Sequence, residues 1–411
     1  VSAPAPAVKQ SFAAFRHPGY RVQFISYVLA MMADNIEHVI SYWMVFQKFH
    51  SPSLGGFAIL SHWLPFLFFS VAVGTLSDRF DPRRIIQCGM GLFILASLGW
   101  GYFFITDTLT VWAAMMLLVI HGCAGVLWQT PNQLLLYDIV GPQDLPSAVR
   151  LNATARSLGV LVGPAAGGII LLALGPSWGI FFNTIFYLPM LLWLIAAPYG
   201  PRFRKVAEIP PRALRGFADF IRTFGDIAGN RVLVSMILLA GGTALLVGNA
   251  YHPQMPGFAE DLGHGDPGVS YSALLAADAF GAILAGLALE FWRRLEASPA
   301  IAICFAIAWA LALGGFALSR SYPLALALLF LAGFFELAFS AMAQTLVQLK
   351  APADIRGRVI GLFNMASLGM RAFSGITVGL VGAFAGIHLS LALATGITAI
   401  GLVALLYFVR R

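Results

Sequence analysis

Apolar residues fall in long runs separated by short polar ones. Twelve runs stand out, at about 22–46, 55–76, 85–106, 109–137, 149–174, 178–197, 231–252, 268–290, 299–319, 323–348, 357–382 and 387–409. A helix rises 1.5 Å per residue, so about 20 residues cross the hydrocarbon core. Every run reaches that length, and none alternates with the period of two that a barrel strand needs. The pattern predicts an all-α membrane protein with twelve transmembrane helices. The longest polar stretch, about Tyr199 to Asn230, splits the runs six and six. It predicts an N-terminal six-helix bundle over 1–198, a cytoplasmic linker over 199–230 and a C-terminal six-helix bundle over 231–411. Within the linker, 214–222 is amphipathic and suited to a membrane surface.

Composition agrees. The chain is 59% hydrophobic and 10% charged, against about 25% charged in soluble domains. A net charge of +7 raises nucleic acid as a partner, but its placement removes that reading. With the N-terminus cytoplasmic, 22 of the 25 Lys and Arg lie at the cytoplasmic side of the runs. Lys48 and Arg320 fall outside and Arg371 lies within a run. The positive-inside rule therefore puts both termini in the cytoplasm, with the basic residues on anionic lipid. Cys88, Cys123 and Cys304 are expected as small core residues, without CxxC or Cys/His zinc spacing. Val1 to Gln10 is short and polar, unlike a cleavable signal, and the start at Val1 reads as trimmed. No P-loop, Gly-x-Ser-x-Gly elbow or HExxH motif occurs, so neither an enzyme nor a cofactor is expected.

The two halves repeat weakly. Asp144-Leu-Pro-Ser-Ala-Val-Arg150 follows run four, and Asp354-Ile-Arg-Gly-Arg358 follows run ten. Gly74-Thr-Leu-Ser-Asp78-Arg79 follows run two, and Gly286-Leu-Ala-Leu-Glu290 follows run eight. Parallel halves of this kind fit a transporter with its site between them.

Ionisable residues inside the runs mark that site. Asp34 lies at the centre of run one, where a carboxylate costs about 2.5–3.5 kcal/mol on insertion scales. On a helix Asp34, Glu37, His38 and Ser41 share one face. Asp34, Glu37 and His38 are the expected proton-coupling group, because burial moves carboxylate and imidazole towards neutral titration. The plainer reading is polar glue between helices. The other mid-run groups are His121, Asp278, Glu336 and Arg371, with His62 in the outer third of run two. Arg371 needs a counter-charge, and Glu336 comes first by depth, then Asp278. Expected cavity residues are Trp43, His121, Trp128, Gln129, Gln133, Asn249 and Tyr251. Pro131 interrupts the helix beside the two glutamines. Most other aromatics face lipid.

Two motifs carry a family resemblance. Gly74-Thr-Leu-Ser-Asp78-Arg79-Phe-Asp81-Pro82-Arg83-Arg84 resembles the loop signature of the major facilitator superfamily, with Asp81 in place of its second Gly. Gly159-Val-Leu-Val-Gly163-Pro164-Ala-Ala-Gly167-Gly168 resembles the signature of that superfamily's antiporters. Ser51-Pro-Ser-Leu-Gly55, Asp144-Leu-Pro and Arg356-Gly-Arg358-Val resemble its enterobactin-exporter-like branch. The resemblance implies a cytoplasmic gate at Gly74, Asp78, Arg79 and Arg83, and close helix packing along Gly159, Gly163 and Gly167. It also implies that spans three, six, nine and twelve, which carry no mid-span charge, are peripheral.

The leading expectation is a proton-coupled exporter of small amphipathic molecules, drug or siderophore in type. It would be monomeric, in a bacterial-type inner membrane, with substrate, protons and lipids as partners and no resident metal. The alternatives are an importer of an iron chelate or nutrient, a ferroportin-like metal exporter using Asp34, Glu37, His38 and His252, and a non-transporting receptor or scramblase.

Overall fold

Short polar residues and prolines set the helix starts. Asp81, Thr110, Asn230 and Ser298 each accept a backbone N–H from the first turn of the helix they precede. Pro82 and Pro299 stand where no intrahelical donor is needed. The structure, a computed structural model, describes residues 11–49, 52–200, 203, 217–263, 269–291 and 296–410. No strand occurs among them.

The major helices are α1 (Pro18–Phe49), α2 (Pro52–Arg79), α3 (Pro82–Thr106), α4 (Val111–Asn183) and α5 (Leu188–Ala196). After the linker come α6 (Phe217–Ile227), α7 (Arg231–Leu246), α8 (Met255–Asp261), α9 (Val269–Phe291), α10 (Pro299–Leu318) and α11 (Tyr322–Lys350). The last are α12 (Arg356–Asn364), α13 (Arg371–Ser374), α14 (Val381–Ala385) and α15 (Ile387–Arg410). Seven described helices are long and apolar enough to cross a membrane. One, Val111–Ala196, has 86 residues, against about 20 for one crossing. It is not continuous: Gly141 and Gly175 leave helical geometry, at φ 70° and 72°. Only glycine takes those angles without strain. From Asn364 to Val381 the backbone alternates between α12–α14 and two π-helical stretches.

α1, α2 and α3 pack on α4, while α9 and α10 pack on α11 and α10 on α15. The two sets meet where α2 lies against α12 and α4 against α9. Glycines bring backbones together at these crossings. A Cβ on Gly74 would collide with the Gly357 carbonyl, and one on Gly286 with the Thr154 hydroxyl. The outer surface is apolar: Leu172 is 89% exposed and Phe384 86%. Cys88 and Cys304 also lie exposed and Cys123 half-buried, which corrects the expectation of core cysteines. A membrane helix is apolar on its lipid face too, so an apolar run does not imply burial.

The amphipathic stretch 214–222 falls partly outside the described residues; its described part begins α6. Ser51 lies outside them as well.

Candidate transport site

The face of α1 that carries Asp34 and Glu37 turns towards α4. Gly122 lets α4 touch α2 backbone to backbone, since a Cβ there would collide with the Ser61 carbonyl. Gly159, Gly163 and Gly167 let the later part of α4 lie on α1, against Met31, Asn35 and Val39. Gly168 faces open space, and the helix continues through Pro164. In the resulting gap, His121 sits between the two acids. Its Nε2 lies 2.9 Å from Asp34 Oδ1 and its Nδ1 2.8 Å from Glu37 Oε1. Glu37 also accepts a short bond from the Ser97 hydroxyl of α3. Glu37 and His121 are buried and Asp34 nearly so.

Two carboxylates facing two ring nitrogens is the hydrogen-bond pattern of an imidazolium, which donates from both. His38 packs edge-on to His121, ring centroids 4.7 Å apart, and its Nδ1 is 3.9 Å from Asp34. His62 joins from α2, 5.0 Å from the His38 ring, with Nδ1 buried and unpartnered. The three imidazoles offer ligand nitrogens within 4.8 Å of one another. Both His121 nitrogens already meet carboxylates, so His121 as folded is engaged with Asp34 and Glu37.

Between the two sets of helices lies a cavity of about 210 Å³. Its lining is rich in amides and charge: Gln129, Gln133 and Arg156 of α4, Asn249, Glu336 of α11, and Arg371. Arg371 donates to Asn249 Oδ1 at 2.7 Å and to the Ser367 carbonyl at 3.1 Å. Its Nη2 is 3.7 Å from Glu336 Oε1. Asp278 of α9 faces His252 Nε2 at 3.4 Å and the Tyr251 hydroxyl at 3.5 Å. Nearer the basic end, Gln133 donates to Asn364, Gln348 donates to Gln133, and Asn364 donates to Thr130. This amide chain ties α4 to α11 and α12.

Two acids, Asp78 half-buried and Glu290 buried, bridge the two sets of helices at the basic end. Asp78, at the end of α2, accepts the first backbone amides of α12: Gly357 N–H at 2.6 Å and Arg358 N–H at 3.0 Å. That is an anion at a helix N-terminus. Asp81, in place of the signature's Gly, caps α3 and pairs with Arg83 at 2.6 Å. Arg83 further donates to the Ala197 carbonyl, and Arg79 lies exposed over Phe80. The second acid is Glu290 of α9. Its carboxylate takes Arg150 at 2.7 Å, the Ser147 hydroxyl at 2.9 Å and the Phe12 N–H at 2.8 Å. Phe12 lies in left-handed backbone, φ 54°. His17 adds a contact to Asp144, 2.8 Å away. At the opposite end Lys48 pairs with Asp107 at 2.6 Å, and its hydrogen bond holds the Asp107 carboxyl below its ordinary value.

The fold thus gathers Asp34, Glu37 and His38 in one cluster, and Gln129, Gln133, Asn249, Glu336 and Arg371 in the cavity. Four expected cavity residues lie elsewhere. Trp43 is 50% exposed. Trp128 is buried between Tyr27 and Phe93. His121 belongs to the acid cluster. Tyr251 is buried behind Asp278. His252, grouped with Asp34, Glu37 and His38 in the metal-exporter alternative, stands beside Asp278 instead. Sequence reasoning passed over Ser97, Arg156 and the role of Glu290. Arg156 is the one with a readable signal, a charge just inside the start of a membrane run.

The chain is similar to the enterobactin exporter EntS of Shigella boydii, 24% identical over 384 residues, which are 89% of this chain and 86% of the exporter. It is similar to the multidrug efflux pump Tap of Mycobacterium bovis, 23% identical over 413 residues, 95% of this chain and 93% of the pump. The human organic anion transporter MFSD10 shares the fold at TM-score 0.74 and 15% identity, over 98% of this chain and all of that one. The Escherichia coli fucose:proton symporter does so at TM-score 0.71 and 13% identity, over 95% and 98%. The sequence profile described as transmembrane secretion effector matches residues 9–411, and the chain belongs to that family, within the major facilitator superfamily of membrane transporters.

Proposed function

We propose that the protein is a proton-coupled exporter of small amphipathic organic molecules that works by alternating access. In this reading twelve spans form two six-helix bundles, 1–198 and 231–411, in a bacterial inner membrane. Both termini and the basic end are cytoplasmic, and the protein acts as a monomer. The observation that carries the reading is the Asp34–His121–Glu37 bridge, a buried chain of proton-bearing groups on the helices that flank the cavity. The exporter relatives favour the outward direction.

Substrate leaves the cytoplasm when Asp78 and Glu290 release their partners, and binds in the cavity between the halves. The opposite opening exchanges it for a proton at Asp34. Neutralising that carboxylate removes uphill transport and leaves downhill exchange. The assay is flux of a labelled efflux substrate in proteoliposomes, with and without an imposed pH gradient. Concentration of substrate by Asp34→Asn at the parent's level would falsify the coupling assignment.

A further inference from the structure

The cavity holds two guanidiniums, and one of them has no hydrogen bond or close ion pair among the described residues. Arg371 is engaged by Asn249, the Ser367 carbonyl, the Trp63 ring face and Glu336. Arg156 lines the same cavity. Among the described residues it makes no ion pair within 4.0 Å, and its Nε is buried without a hydrogen-bond partner. Glu336 is attracted to both guanidiniums, and these repel each other. Asp278 is occupied by His252 and Tyr251. One carboxylate thus serves two fixed cations.

A guanidinium inside a membrane span is costly unless it is paired or faces a wet cavity. The missing anion is then supplied by what the cavity binds. Gln129, Asn152 and Gln344 line the same cavity as further polar groups, while Leu136, Val160 and Ala282 add apolar lining. We propose that the transported molecule is an amphipathic organic anion whose acidic oxygens dock on Arg156. The planar guanidinium takes a carboxylate or sulfonate through two parallel hydrogen bonds. Arg156 thereby sets the charge of the substrate, and Arg371, held by Glu336, shapes the site beside it. The proposal rests on reading this cavity as the transport site.

The test uses 2-naphthoate and 2-naphthamide, which match in shape and differ in charge. Binding to the purified full chain in detergent is measured by titration calorimetry. The parent should bind the acid about tenfold or more tighter than the amide, the scale of one charge-assisted contact. Arg156→Gln should weaken the acid alone and erase the preference. Arg156→Lys keeps the charge without the planar fork, so it should retain part of the preference and all of the amide affinity.

Four results would overturn the proposal: no binding of the acid by the parent, equal binding of both probes, a preference that survives Arg156→Gln, or equal loss of both probes in that variant. If Arg156→Gln does not fold, Arg156→Lys decides, and an unchanged acid affinity there also overturns it. The binding assay needs no gradient. A failed flux experiment with Asp34→Asn therefore leaves the Arg156 result standing, and normal coupled flux with no charge preference sinks Arg156 alone.

Discussion

Replacing Asp78 with Asn removes the anion that the start of α12 is packed around. The carboxylate now accepts two backbone amides, at 2.6 and 3.0 Å. Hydrogen bonds to a charged acceptor contribute about 1.5–3 kcal/mol each, and neutral ones about 0.5–1.5. Asparagine keeps one acceptor oxygen and turns an NH₂ donor towards the other amide. One bond is lost and the second falls to the neutral class. The interaction with the helix N-terminus, about 0.3–1 kcal/mol, is lost as well. Asp78 is only half-buried, so water recovers part of this. About 2 kcal/mol remains, equivalent to ~30-fold in the balance between the closed and open basic end.

The assay replaces Cys88, Cys123 and Cys304 and introduces Gln344→Cys as a reporter in the cavity lining. Labelling by a membrane-impermeant maleimide is followed from the basic side in inside-out vesicles. Asp78→Asn should raise the labelling rate by about an order of magnitude or more, the scale of that shift. Gly357→Ala should act in the same direction, because its Cβ would collide with the Gly74 carbonyl and push α12 off α2. Labelling rates within about twofold of the parent in both variants would refute the reasoning, since 2 kcal/mol predicts far more.

Arg371→Ala removes the cation nearest Glu336, which costs up to about 3–5 kcal/mol if Arg156 does not take its place. Adding Glu336→Gln should restore part of the lost thermal stability, and a double-mutant cycle without coupling rules out the pair. His121→Gln leaves Asp34 and Glu37 facing each other without a cation. Its melting temperature should fall by several degrees and partly recover with Asp34→Asn; no recovery would mean His121 acts by packing. The Lys48–Asp107 pair lowers the Asp107 carboxyl, so its contribution is present above the ordinary carboxylate range and lost as pH falls through the lowered value. Asp107→Asn should slightly reduce the difference in melting temperature between neutral pH and about pH 3, just below the usual aspartate pKa. Identical differences in parent and variant would show that the pair contributes nothing.

Local spacing made one face of the acid cluster legible. Asp34, Glu37 and His38 lie three and four residues apart, and helix geometry alone puts them together. Depth along a run also set Glu336 beside Arg371, and the two stand 3.7 Å apart. His121 was readable as an ionisable group in a membrane but not as the bridge between two acids, because its partners lie 84 and 87 residues away. Ser97 is a lone hydroxyl in an apolar run and gives no signal. The tryptophans failed for a different reason. In water an apolar face marks the core, whereas in lipid both faces of a helix are apolar. Nothing in the pattern separates Trp43, half-exposed, from a cavity aromatic. The glycine crossings were visible as motifs, but their partners, such as Gly74 with Gly357, depend on tertiary placement.

Asp78 and Glu290 belong to different halves, and each reaches into the other. Asp78 grips the main chain at the start of α12, through the Gly357 and Arg358 amides. Glu290 grips a guanidinium, a hydroxyl and the amide of Phe12. The closed end is therefore pinned at two separated points of unequal chemistry. In the proposed alternating-access cycle, release of one contact leaves the other as a pivot between the two sets of helices. A change at Phe12 bears on the Glu290 contact and leaves both Asp78 bonds in place, so the two points can be loosened one at a time.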